Sequence, residues 1–109
     1  MAKKPEYNYK SLQTEYGKMP PQAVDLEEAI LGSLMLEKDA FITVSDFLKP
    51  ECFYKEAHQK IYRGIQNLSL NNEPVDILTV SEEMKRLGEL EEIGGYYYLA
   101  QLTSKVASA

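Results

Sequence analysis

The chain runs to 109 residues, 44% hydrophobic and 27% charged, the proportions of one small globular domain and not of a disordered or fibrous chain. It has no run of about 18 apolar residues to span a bilayer, its start Met1-Ala2-Lys3-Lys4-Pro5-Glu6-Tyr7 lacks a secretory leader, and its single cysteine, Cys52, has no internal disulfide partner, so a reducing cytoplasmic setting is expected. The net charge of −5 disfavours direct nucleic-acid binding, whose affinity comes mainly from neutralising phosphates, and favours a protein partner.

The charge is unevenly spread. Residues 1–18 carry four lysines and two glutamates, whereas residues 19–109 carry eight basic and fifteen acidic side chains. Residues 1–19 read as a flexible tail, polar and without helical or strand period, ending in Gly17-Lys18-Met19-Pro20-Pro21. Tyr7, Tyr9 and Tyr16 interleave with Lys3, Lys4, Lys10 and Lys18, a pattern superficially like a stacking arm for single strands. The plain tail is the preferred reading.

A first helix is predicted over residues 22–36. Leu26, Ile30 and Leu34 recur every four residues, with Ala23, Leu31 and Met35 widening the stripe. Asp25, Glu27 and Glu28 fall in the expected first turn, where negative charge meets the positive end of the helix dipole. Gly32, beside Ser33, costs about 1 kcal/mol against alanine in a helix and points to close approach by another helix. Asp39 is expected to cap a short second helix with Ala40, Ile42, Val44 and Phe47 as its apolar positions, and Pro50 breaks the chain after Lys49.

The third helix, about residues 55–69, has the cleanest period, with His58, Ile61, Ile65 and Leu68 on one stripe and Tyr62 beside it. Asn71-Asn72-Glu73-Pro74 forms the next turn. Asp76 caps a helix through Ile77, Val80, Met84 and Leu87, ended by Gly88. Gly94-Gly95 opens a last helix carrying Tyr98, Leu99, Leu102 and Val106. No strand pattern and no internal repeat is present, so the fold class is an all-α compact bundle of about five or six short helices.

Catalytic chemistry is hard to find. A P-loop needs two glycines five apart followed by Lys and Ser/Thr, but Gly88 and Gly94 are six apart and run into Gly95-Tyr96. One Cys and one His do not make a zinc site. A Cys52–His58 nucleophile pair exists on paper, with packing the preferred reading for Cys52. His58, on the apolar stripe, reads as a core histidine satisfied by a backbone carbonyl. Glu27-Glu28, Glu82-Glu83 and Glu91-Glu92 read as solvated faces. No catalytic, metal or cofactor residue is therefore expected. Tyr96, Tyr97 and Tyr98 cannot all face the core of one helix, and exposed tyrosine suits a binding interface.

The ordered motifs resemble the N-terminal domain of DnaB-type replicative DNA helicases. The likeness rests on Pro20-Pro21-Gln22-Ala23-Val24-Asp25-Leu26-Glu27, Ile30-Leu31-Gly32-Ser33-Leu34-Met35-Leu36, Phe53-Tyr54 and Ala57-His58-Gln59-Lys60-Ile61-Tyr62. It continues through Pro74-Val75-Asp76-Ile77-Leu78-Thr79-Val80 and Ile93-Gly94-Gly95-Tyr96-Tyr97-Tyr98-Leu99, and so covers residues 20–109. Two positions depart from the family pattern: Ala23 stands where a serine is usual, and Cys52 where an acidic residue usually precedes Phe53-Tyr54.

The resemblance implies a helical head that, in the family, continues into a helical hairpin, a linker and a RecA-like motor holding ATP and magnesium. It implies a collar in a hexameric ring, docking of the primase C-terminal domain, and contact with neighbouring helicase subunits, with DNA handled by the motor and not by the head. Tyr98 matches the tyrosine of the family's Gly-Gly-x-x-Tyr-Leu motif. The expected contact surface joins Asp25 and Glu28 on the first helix to Tyr97 and Tyr98 on the last, with Tyr98→Ala expected to weaken primase binding and leave thermal unfolding nearly unchanged. The competing reading is a free-standing helical DNA-binding regulator, which needs a basic helix for a major groove. The closest candidate, residues 55–69, spreads Lys55, Lys60 and Arg63 around an apolar stripe.

Overall fold

In the computed structural model, which describes residues 21–108, five α-helices and a 3-10 turn follow one another: α1 (Pro21–Leu36), α2 (Ala40–Val44), the 3-10 turn (Pro50–Cys52), α3 (Glu56–Leu70), α4 (Ile77–Arg86) and α5 (Gly95–Ala107). The described residues contain no strand, and the all-α expectation holds. The expected tail, residues 1–19, lies outside the described residues. α1 packs along α5 and α3 against α4, with further contacts of α1 to α3 and α4 to α5 closing the bundle.

The core collects Leu31, Leu34 and Met35 from α1, Phe53, then Ile61, Tyr62, Ile65 and Leu68 from α3, Val80 and Met84 from α4, Ile93, and Leu99 and Leu102 from α5. Each such side chain contributes about 1.5–3 kcal/mol on burial. Tyr62 ties the middle segment to α3. Its hydroxyl donates to the Leu48 carbonyl at 2.6 Å, its ring packs against Phe41 and Phe53, and burial pushes the phenol up to about 12.

Four local expectations are corrected. The buried face of α1 runs through Glu27, Leu31, Leu34 and Met35, and Leu26 is 57% exposed. Leu31, Leu34 and Met35 face inward as expected and Ile30 packs against the core, so the change is confined to the start of the stripe, where Glu27 takes the inward place expected for Leu26, held by partners described below. Because α1 begins at Pro21, Asp25 lies beyond the first turn, which contains no acidic residue. Asp39 does not cap α2: its φ is 71° and its side chain makes no capping bond. α2 has no buried residue, and Ile42 and Phe47 are exposed, since a five-residue helix is too short to present a continuous apolar face.

Elsewhere the turn chemistry acts as expected. The Asp76 carboxylate accepts from the Thr79 amide at 2.8 Å while the Asp76 amide donates to the Thr79 hydroxyl at 3.0 Å, a reciprocal cap for α4. Gly88, at φ 75°, ends that helix in a Schellman motif, with the Glu89 amide donating to the Met84 carbonyl and the Gly88 amide to the Lys85 carbonyl. Glu83 departs from its expected solvated role. It is buried, accepts from Asn67 at 3.1 Å, and takes both Nε and Nη2 of Arg86 at 3.0 and 2.6 Å.

Gly32 is where α1 and α5 touch. A Cβ at this position would lie 2.3 Å from the Leu102 carbonyl oxygen and 2.7 Å from Val106 Cγ2, so the close approach read from the sequence is real. Gly32→Ala should gain about 1 kcal/mol of helix propensity and lose more to overpacking against backbone. The net loss of about 1–2 kcal/mol is expected as a fall in Tm of roughly 4–16 °C by circular dichroism.

A second expectation concerns acid. The Arg86 guanidinium, with Asn67 assisting, holds the Glu83 carboxyl below its ordinary range against the opposing effect of burial. A group depressed in the folded state stabilises above its unfolded pKa and loses that stabilisation as pH falls through the folded value. Glu83→Gln should therefore flatten the acid limb of the stability–pH curve, measured by urea unfolding across an acidic pH series.

Candidate functional site

A chain of polar side chains runs from the core to the seam between α1 and α5. At its inner end Glu27 is fully buried. Its carboxylate accepts from the Tyr54 amide at 2.6 Å, more weakly from the Lys55 amide at 3.5 Å, and from His58 Nδ1 at 2.6 Å. Those amides lie at the start of α3, whose N-cap, Lys55, makes no side-chain capping bond of its own. Glu27 thus brings a negative charge from α1 to the positive end of α3.

His58, also fully buried, faces Tyr98 with its other nitrogen: Nε2 lies 2.6 Å from the hydroxyl. The two rings are nearly parallel, 7° apart with centroids at 6.0 Å. Phe53 meets the imidazole edge-on, and the Lys55 ammonium lies 5.8 Å from the Tyr98 ring centroid. Burial, then the Glu28 charge, raises the Tyr98 phenol above its ordinary range.

At the outer end the Tyr98 oxygen is 3.4 Å from Glu28 Oε2. Lys105 of α5 donates to Glu28 Oε1 and to Asp25 Oδ1, the latter at 3.0 Å. Hydrogen bonding to Glu28 and then Asp25 raises the lysine above its ordinary range. Beside this seam lies a shallow polar recess of about 420 Å³ lined in part by Glu28, Tyr98, Gln101 and Lys105.

Asp25, Glu28 and Tyr98 are therefore brought together, around a lysine that sequence reasoning did not single out. Tyr97 stands apart. It is 72% exposed, with its hydroxyl 3.5 Å from Gln101 Nε2, and Tyr96 is half exposed. The expectation that His58 pairs with a backbone carbonyl is corrected: its partners are a carboxylate and a phenol. The expectation of a solvated Glu27-Glu28 pair is corrected too, because Glu27 is sealed in the core by three donors. Cys52 is half-buried, and both His58 nitrogens are committed elsewhere, so the Cys52–His58 pair does not form.

Among the described residues no three His, Cys, Asp or Glu side chains converge as a metal site. No described helix is long and apolar enough to cross a membrane. No buried side-chain nitrogen or oxygen among them lacks a hydrogen-bond partner.

The fold and its seam are those of a small all-α domain whose buried polar groups are spent on holding helices together. Residues 19–109 match the family of the DnaB-like helicase N terminal domain, and the chain belongs to that family. It is 48% identical over 99 residues to the replicative DNA helicase DnaB of Rhodothermus marinus, covering 91% of this chain and 10% of that protein. It is 41% identical over 92 residues to the DnaB of Geobacillus stearothermophilus, covering 84% of this chain and 20% of that protein. The chain thus spans a tenth to a fifth of the length of these curated relatives. The crystal structure of the N-terminal domain of DnaB helicase from Mycobacterium tuberculosis superposes with a TM-score of 0.73 at 42% identity, covering 81% of this chain and 64% of that one.

The burial of Tyr98 replaces the expectation that Tyr98→Ala leaves unfolding unchanged. Removing a half-buried ring and orphaning His58 Nε2 should cost about 2–4 kcal/mol. Tyr98→Phe, which keeps the ring, should cost about 1–2 kcal/mol. Urea unfolding of the two variants checks this order.

Proposed function

We propose that this chain is the globular head of the N-terminal collar of a hexameric, ATP-dependent replicative DNA helicase, where it docks the primase C-terminal domain and packs against neighbouring subunits. It takes no part in catalysis. ATP and magnesium belong to the motor domain of the whole protein, which also engages DNA. The observation that carries this reading is family membership along residues 19–109. An acidic balance in that same stretch favours protein over nucleic acid.

The proposed contact surface is Asp25, Glu28 and Tyr98 at the seam, extended by the outward-facing Tyr97. It offers an aromatic body with polar tips on two helices clamped together by Lys105. A DNA-binding regulator is less well supported, because α3 carries only two cations, of which Lys60 is paired with Glu92 and Glu56, leaving Arg63 as a single exposed charge, while Lys55 before the helix lies over the Tyr98 ring.

An amide-shift NMR titration with the primase C-terminal domain, and a single-stranded oligonucleotide in parallel, tests the reading. Shifts clustered at Asp25, Glu28, Tyr97 and Tyr98 with primase alone are expected. Tyr97→Ala should weaken that binding several-fold while leaving Tm within about 2 °C, because an exposed side chain contributes little to folding. Shifts with the oligonucleotide and none with primase would overturn the assignment.

A further inference from the structure

His58 is the one histidine of the chain, and both its nitrogens are occupied in the core. An ionised carboxylate only accepts, so the hydrogen between Glu27 and His58 sits on Nδ1. In a neutral ring Nε2 is then an acceptor, and the Tyr98 hydroxyl must direct its single hydrogen inward. Glu28 Oε2, 3.4 Å from that hydroxyl, then competes for the same hydrogen from the longer distance. A protonated ring reverses the arrangement: Nε2 donates, the Tyr98 oxygen accepts, and the hydroxyl hydrogen is free to turn outward.

We propose that Glu27, His58 and Tyr98 form a proton-operated relay, in which protonation of His58 turns the Tyr98 hydroxyl from the core toward Glu28 and so reports a buried charge at the α1–α5 seam. The transfer balances. The hydroxyl hydrogen passes to Nε2 as its O–H bond breaks, and a solvent proton arriving from the Glu28 side forms a new O–H bond on the same oxygen. One proton is taken up, and no other covalent bond changes. Burial and then Glu28 hold the Tyr98 phenol protonated, so it is neutral in both end states and the breaking and forming of its O–H bonds are concerted.

The groups facing the ring act in both directions. From α1, Glu27 at Nδ1 and Glu28 beyond the hydroxyl favour the imidazolium. Lys55 at the start of α3, over the Tyr98 ring, and Lys105 of α5, bonded to Glu28, oppose it. Phe53, edge-on to the imidazole, adds burial without charge. Lys105 engages Glu28 Oε1 while Tyr98 faces Oε2. In the protonated state the Tyr98 hydrogen is no longer shared with His58, and the long Tyr98–Glu28 hydrogen bond between α5 and α1 strengthens beside that of Lys105.

The relay stands independently of the docking surface. Where that surface is used as proposed above, reciprocity requires that a partner bound at Glu28 or Tyr98 changes proton occupancy at His58 by the same factor as the proton changes its affinity.

The test is an NMR pH series on the 109-residue chain, begun on the alkaline side. It follows the imidazole nitrogens, the Tyr98 ζ carbon and the Glu28 carboxyl carbon, with circular dichroism reporting the fold. A hydrogen on Nδ1 alone is expected first. On acidification Nε2 should become protonated, and the Tyr98 and Glu28 signals should move with the same midpoint. In Tyr98→Phe, which keeps the ring, the step at Glu28 that shares the His58 midpoint should be lost. The relay is overturned by a neutral ring protonated on Nε2, by a ring that stays neutral until the chain unfolds, or by Tyr98 and Glu28 signals that do not follow His58. It is equally overturned if the shared step at Glu28 persists in Tyr98→Phe.

Discussion

The structure depends on one buried carboxylate. Glu27 has no access to solvent, a situation that costs several kcal/mol for an unpaired charge. It is tolerable only because the Tyr54 and Lys55 amides and the His58 imidazole converge on it. Those donors belong to the segment leading into α3 and to α3 itself, so satisfying Glu27 fixes the rotation of α1 and its distance from α3 together. Leu31, Leu34 and Met35 then face inward and Leu26 outward. Such an arrangement adds less net stability than an apolar pair of the same shape, but it penalises alternative packings that leave the charge unpaired.

The same constraint prepares the surface. With Glu27 turned inward, Asp25 and Glu28 lie where Lys105 of α5 reaches both. Gly32 lets the two helices approach until the Leu102 carbonyl occupies the space a side chain would need. α5 enters this contact through Gly94 and Gly95, both at positive φ, and a Cβ at Gly94 would strike Tyr98. The glycine pair therefore delivers Tyr98 to His58 and leaves Tyr97 facing solvent one residue earlier. Core and candidate contact surface are two ends of one hydrogen-bonded path.

Membership of the DnaB-like helicase N terminal domain family gives these features a context. A domain spanning a tenth to a fifth of its curated relatives, with its buried polar atoms paired among the described residues, is built around contacts between helices. Tyr97, exposed on α5 beside the seam, offers contact area at small entropic cost, since only two side-chain torsions have to be fixed.

The amino-acid sequence by itself determined the helices, most of their ends and the family. Capping by Asp76, termination at Gly88 and the small residue at Gly32 are local or steric signals that survive in any compact packing. It also placed Asp25, Glu28 and Tyr98 together, through the resemblance of its ordered motifs. Only the tertiary structure decided that Glu27, and not Leu26, lies on the buried face of α1. Hydrophobic periodicity counts apolar residues and cannot see that an acid will be satisfied by donors 27 to 31 positions away. For the same reason His58 read as a core residue with an ordinary partner and Lys105 went unnoticed; Glu83 read as solvated although Arg86 lies three residues on, because its burial and its bond to Asn67 come from the distant α3. A charged side chain's role is set by what approaches it in space, and sequence spacing holds that information only within a helix turn.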